Sequence, residues 1–196
     1  MQKTAEFFFD VGSPAAYLAW TQMPQLCAQA GAALVYRPML LGGVFQATGN
    51  ASPMMIAAKG SYMAVDLGRF AQRYGVPFRI NPHFPINTLQ LMRTVVGMQL
   101  HHPERFESFL STVYTAIWDK GMNLNDPAVI TAMLVQADFD PAQVFALTND
   151  ADIKVALKAN TEEAVQRGAF GAPTVFVGDA MFFGQDRLDF VREALA

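Results

Sequence analysis

Hydrophobic residues along this chain fall into two kinds of pattern, and the boundary between them divides it. Phe7 to Val11 is a continuous aromatic and β-branched run closed by Gly12, the composition of a short strand covered on both faces. Ser13-Pro14 then reads as a helix N-cap and first helical residue, because the N–H that proline lacks would have had no intrahelical partner there. The helix continues through Ala15, Ala16, Tyr17, Leu18, Ala19 and Trp20, with a kink or restart expected at Pro24, and stops at Gly31. Ala33 to Arg37 reads as a second strand ended by Pro38. A strand, helix and strand in that order default to parallel pairing with a right-handed crossover.

From Met39 to Pro53 the turn residues predict a loop with short helical pieces, and after it the apolar period lengthens to that of a helix. Met63, Leu67, Phe70 and Tyr74 share one helical face that ends at Gly75, and core packing is enough to account for them. The turn-rich segment from Asn81 to Thr88 leads into a helix near Leu89, and Phe106, Leu110, Val113 and Ile117 form another stripe. Asp126-Pro127 and Asp140-Pro141 each read as N-cap and first helical residue, and Asp150 as a further cap.

Near the end the two-residue pattern returns. Gly171 to Val177 is a strand entered through Pro173, Gly178-Asp179 signals a tight turn, and Met181 to Phe183 is its partner. A last helix runs from Arg187 to Leu195, with Asp186 or a neighbour as its cap. The expected fold is therefore α/β, a thioredoxin-like four-stranded sheet split by a large all-helical insertion. Residues 1–44 and 166–196 would form the thioredoxin-like domain and 45–165 the helical insertion.

Composition narrows the function. Hydrophobic residues make up 52% of the 196, enough for one large core. The formal net charge of -3, without a basic run, leaves a nucleic acid or acidic membrane surface no electrostatic footprint, so a small molecule is the expected partner. Neither a signal segment nor a bilayer-length apolar run is legible, which predicts a cytoplasmic protein. The lone Cys27 sits at helical spacing among Met23, Leu26 and Ala30 and reads as core; an internal disulfide or Cys-x-x-Cys site is impossible. His101 and His102 are adjacent and point apart on a helix, and His83 stands between prolines, so no metal site is expected.

Candidate chemistry starts at Ser13. A helix start carries unpaired N–H groups and roughly half a positive charge, which favours an anion, a thiolate included. From the local pattern alone Ser13 is either a plain cap or a group that addresses such an anion. Asp186 has the same two readings, as a plain cap or as an acceptor for a ligand's ammonium.

The segments Phe9-Asp10-Val11-Gly12-Ser13-Pro14-Ala15-Ala16-Tyr17-Leu18-Ala19, Leu41-Gly42-Gly43-Val44-Phe45-Gln46-Ala47-Thr48-Gly49-Asn50, Asn81-Pro82-His83-Phe84-Pro85, Gly168-Ala169-Phe170-Gly171-Ala172-Pro173-Thr174 and Phe183-Gly184-Gln185-Asp186-Arg187-Leu188 closely resemble the 2-hydroxychromene-2-carboxylate isomerase family. That family is related to kappa-class glutathione transferases and DsbA-type thiol oxidoreductases. The resemblance covers essentially the whole chain. It implies that glutathione is the cofactor and that its thiolate is held by Ser13, which stands where the oxidoreductases carry a Cys-x-x-Cys. It also implies a cis bond before Pro173, a backbone pairing of Ala172 with the tripeptide, and contacts from Phe183, Gly184, Gln185 and Asp186 to its γ-glutamyl end.

The activity implied is cis-trans isomerisation of 2-hydroxychromene-2-carboxylate or benzylidenepyruvate-type aromatic substrates by transient addition of the thiolate. Ser13 would donate a hydrogen bond, and Asp10 is expected to face away from the site, since a second negative charge would oppose the thiolate. Asn50, His83, Phe84 and Asn87 are the implied aromatic-substrate contacts, and a homodimer is the implied assembly. Gln46 occupies a position that is often lysine in the family, which puts a carboxylate-bearing substrate in question unless Arg37, Lys59 or Arg93 substitutes. A kappa-type transferase that conjugates electrophiles is the alternative, and a non-catalytic binding module is a third reading.

Overall fold

The computed structural model describes residues 2–196. Strand β1 (Thr4–Phe9) leads through a tight turn into α1 (Pro14–Gln29) and returns as β2 (Ala33–Pro38), which pairs with β1 in parallel. At the other end of the chain β3 (Thr174–Val177) and β4 (Ala180–Phe183) form a hairpin turned at Gly178, and α9 (Leu188–Leu195) closes it. The sheet order is β2-β1-β3-β4, with β3 antiparallel to β1. β1 is therefore central, and Phe7, Phe8 and Phe9 are completely buried, as an apolar run without alternation requires. Phe7 and Phe9 stack at 5.3 Å on one face, while Phe8 meets Phe176 edge-on at 5.5 Å on the other.

Between β2 and β3 lie α2 (Leu41–Thr48), a short 3-10 turn at Pro53–Met55, α3 (Ala57–Tyr74), α4 (Leu89–His101), α5 (Phe106–Trp118), α6 (Pro127–Gln136), α7 (Pro141–Leu147) and α8 (Ala151–Gln166). The three expected aspartate caps are in place: Asp126, Asp140 and Asp150 each accept from the amide two residues on. The expected boundaries at 45 and 165 fall inside α2 and α8. Residues of the sheet, of α1 and of the helical block join in one continuous buried cluster.

Two expectations change. α1 runs unbroken through Pro24, with no restart. Losing one helical hydrogen bond there costs about 3 kcal/mol, whereas burying Met23, Leu26 and Cys27 stabilises the same segment by about 1.5–3 kcal/mol per large side chain. α2 is a full helix where a loop with short helical pieces was expected. Its two glycines weaken it locally, but it packs on α8 and ends cleanly at Gly49 in the left-handed conformation.

Hydrogen bonds from two aromatic side chains help tie the helical block to the β1–α1 corner. The indole N–H of Trp118, fully buried, donates to the Val11 carbonyl at 2.8 Å, and the Tyr17 hydroxyl donates to the Pro77 carbonyl at 2.7 Å. Together they hold the junction that carries Ser13.

Candidate active site

Ser13 sits where β1 hands over to α1. Its backbone is extended, its Oγ accepts from the Ala16 amide at 3.1 Å as an N-cap, and its O–H donates to the Ala172 carbonyl at 2.9 Å. The side chain is 4% exposed and lines a cavity of about 850 Å³. Across from it the Ala172-Pro173 bond is cis. Among the described residues the Ala172 N–H donates to no protein acceptor, so an extended ligand backbone could pair with it. The hydroxyl, the positive end of α1 and an unpaired backbone amide thus converge on one place.

Asp10 contradicts its expectation. It lines the same cavity as Ser13 and is completely buried there. One oxygen accepts from the Gly12 amide at 2.8 Å, and the other from the Leu41 amide at 2.8 Å and the Thr88 hydroxyl at 3.0 Å. The reason is structural, because these three donors come from three segments that meet only at this corner. Burial pushes its carboxyl above the usual range despite those bonds.

The Phe183–Asp186 loop forms the opposite wall. Gly184 has φ +100, a backbone conformation that favours glycine, and donates to the Pro173 carbonyl at 3.0 Å; a Cβ there would come 2.5 Å from a carboxylate oxygen of Asp186, which would have to move. Asp186 is not the cap of α9, another departure from expectation. A 3-10 turn over Gln185–Arg187 precedes that helix without a side-chain cap, and Asp186 pairs instead with Arg187. The loop is held from behind by Tyr74, whose hydroxyl donates to the Gln185 carbonyl at 2.5 Å and whose ionisation burial pushes up to about 12. Tyr74→Phe is expected to cost about 1 kcal/mol of stability, the worth of one ordinary hydrogen bond, which thermal unfolding checks.

Of the residues implied as substrate contacts, Asn50, Phe84 and Asn87 line the cavity, whereas His83 does not. His83 is exposed, turned outward because its amide donates to the buried Asn81 side chain at 2.8 Å. The Asn50 amide already donates to the Phe170 carbonyl at 2.8 Å, and the Asn87 side chain accepts from Leu89 N–H at 3.2 Å, so both stabilise loops. Phe84 packs on Trp118 at 6.2 Å. The sequence reading missed Phe45, Met54, Met55 and Met63 as lining residues. Met63 was legible only as a core stripe, because periodicity does not separate a buried face from one that borders a cavity.

None of the cations weighed as substitutes for Gln46 lines this cavity. Gln46 itself lies on the far face of α2 and, with Arg93, Lys154 and Lys158, borders an adjoining groove of about 830 Å³ that meets the cavity at Leu40 and Leu89. Arg37 pairs with Glu163 and lies over the Phe8 ring. Lys59 is exposed on α3.

A central β1 between a parallel neighbour and an antiparallel hairpin, with a cis-proline loop facing a helix start, defines a thioredoxin-like protein. The sequence pattern of the DsbA-like thioredoxin domain matches residues 4–196. The 2-hydroxychromene-2-carboxylate isomerase of Sphingobium xenophagum is 30% identical, over 100% of this chain and 99% of that protein. Glutathione S-transferase kappa 1 of Homo sapiens is 29% identical, over 100% of this chain and 92% of that one. A solved structure of 2-hydroxychromene-2-carboxylate isomerase matches with a TM-score of 0.85 at 25% identity, covering 98% of this chain and 94% of the other. This chain belongs to the DsbA-like thioredoxin-domain family, alongside the 2-hydroxychromene-2-carboxylate isomerases and kappa-class glutathione transferases.

Proposed function

We propose that this protein is a glutathione-dependent isomerase that converts the geometry of a double bond conjugated to an aromatic ring, the chemistry of the chromene-carboxylate and benzylidenepyruvate type. The observation that carries the reading is the Ser13 hydroxyl, held at the start of α1 and facing the Ala172-Pro173 loop across a cavity large enough for a peptide and an aromatic compound. The residues fit glutathione: Ala172 offers an unpaired N–H, and Gly184, Gln185 and Asp186 offer backbone and carboxylate groups to the γ-glutamyl end. When bound, glutathione would supply a sulfur anion that adds to the conjugated carbon, making the double bond single and rotatable, and then leaves with its electron pair.

The chain's own part is to prepare that sulfur. Ser13 turns its proton from the Ala172 carbonyl to the ligand, and the N-terminal amides of α1 favour the negative form. A thiol of pKa near 8.5 is lowered by about a unit or more in such surroundings. Buried Asp10 holds the Gly12, Leu41 and Thr88 donors and so fixes the corner on which Ser13 stands. Phe45, Phe84 and Met63 offer apolar walls to an aromatic ring and keep water from it.

The curated relatives also include kappa-class transferases, which favours a second reading in which the sulfur adduct is released. Following free glutathione during turnover of an aryl-conjugated carbonyl compound, with or without a carboxylate, and of a model electrophile separates the two. An isomerase leaves the glutathione concentration constant while product forms; stoichiometric loss assigns the protein as a transferase. Failure of glutathione to bind in calorimetry overturns both.

We place the protein in the cytoplasm as a homodimer. Among the described residues no helix is long and apolar enough to cross a membrane. Met55 and Ile56 just before α3, with Tyr62 and Val65 on it, are all more than half exposed and are the surface a second copy would cover.

A further inference from the structure

We infer that the aromatic substrate of the Ser13 cavity carries no carboxylate: the site takes an uncharged aryl-conjugated ketone or aldehyde. This rests on the glutathione-dependent reading above and specifies its second substrate. Among the described residues the cavity wall includes no lysine, arginine or histidine, although the chain holds 14 lysines and arginines. The ionisable side chains that do line it are acids, Asp10 at the buried corner and Asp186 at the rim. Elsewhere the wall is methionine, aromatic and aliphatic, with Phe45, Met54, Met63 and Phe84 toward the aromatic end.

A carboxylate placed among such groups loses its hydration and gains no partner, a large cost unless a charge or several donors compensate. The polar groups nearest to hand are mostly engaged, the Asn50 side-chain amide on Phe170, the Thr88 hydroxyl on Asp10 and the Asn87 Oδ1 on the Leu89 N–H, and a neutral donor such as the Asn87 side-chain NH2 does not balance a full charge. The cations that a carboxylate would need stand on the far face of α2, where Arg93, Lys154 and Lys158 border the other groove. Lys59, one turn before Met63 on α3, is exposed and is not among the lining residues. A neutral carbonyl needs none of these, and its conjugated ring gains from burial against sulfur and aromatic side chains.

Binding of unreactive ligands tests the inference without any thiolate. Calorimetry should show benzylacetone binding at least about tenfold tighter than phenylbutyrate, the penalty of one unpaired buried charge being no smaller than that. Met54→Lys, which sets an ammonium in the wall, should narrow or reverse that ratio, and Lys59→Met should leave it unchanged. With glutathione present, kcat/KM corrected for solution reactivity should likewise favour benzylideneacetone over benzylidenepyruvate. Equal or tighter binding of phenylbutyrate, no measurable binding of either ligand, or a preference that Lys59→Met reverses would each overturn the inference. Loss of glutathione binding with the benzylacetone preference intact would instead overturn the glutathione reading and leave the charge preference of the cavity standing.

Discussion

Ser13→Ala is expected to lower the glutathione-dependent rate by roughly tenfold or more near neutral pH, the fall in ionised fraction that a rise of about one unit in the thiol pKa produces. Glutathione should still bind, because Ala172 and the Gly184–Asp186 loop offer contacts that do not use the hydroxyl. What changes is the ionisation of the bound thiol. With the donor gone its pKa should rise by about a unit or more, so the deficit is largest near neutral pH and shrinks in alkali. Ultraviolet thiolate absorbance, titrated against pH for the bound tripeptide, reads that displacement directly. The same substitution removes a helix cap and costs about 1 kcal/mol of stability, or roughly 2–4 °C in melting temperature for a chain of this size. A variant that melts almost normally, binds glutathione and shows an unshifted thiol titration would dismiss the role given to Ser13.

The second large effect is on folding. Asp10→Ala strips a buried acceptor from the Gly12 amide, the Leu41 amide and the Thr88 hydroxyl at once. Each orphaned donor costs about 1–3 kcal/mol, so a loss of roughly 3–9 kcal/mol and a fall of roughly 10 °C or more in melting temperature are expected. The pH dependence has a definite sign. Burial raises the folded carboxyl above its ordinary 3.8, so the native state holds that proton more tightly than the unfolded chain. The stabilisation from this proton is complete below 3.8 and is lost as pH rises through the folded value. The gap between the parent protein and the variant should therefore be widest in acid and narrow as pH rises. Thermal unfolding of both proteins across that range checks it, and a gap that widens with pH would show that Asp10 is held as the anion.

The elements were legible because each rests on neighbours in sequence. The buried β1 run, the Ser13-Pro14 helix start, the aspartate caps and the Gly178 turn all depend on residues within a few positions of one another. The parallel pairing of β1 with β2 followed from their order together with the rule for such connections, whereas the placement of β3 antiparallel beside β1 is long-range. α2 was half seen, because a helix with two glycines shows little periodicity and is held by α8.

At the site the balance is different. Ser13 could be singled out because its signal is local, but Asp10 was read as facing away. The donors that pull it inward, Leu41 and Thr88, lie far along the chain. His83 and Gln46 were weighed as substrate-side positions, yet Asn81 turns the loop of the first outward and α2 presents the second to another groove. The sequence by itself thus determined which residues cap, turn and pack, since those properties arise from short-range geometry and hydrophobicity. Only the tertiary structure decided which side chains share a cavity and what charge that cavity holds, because burial and electrostatics are sums over groups that distant segments bring together.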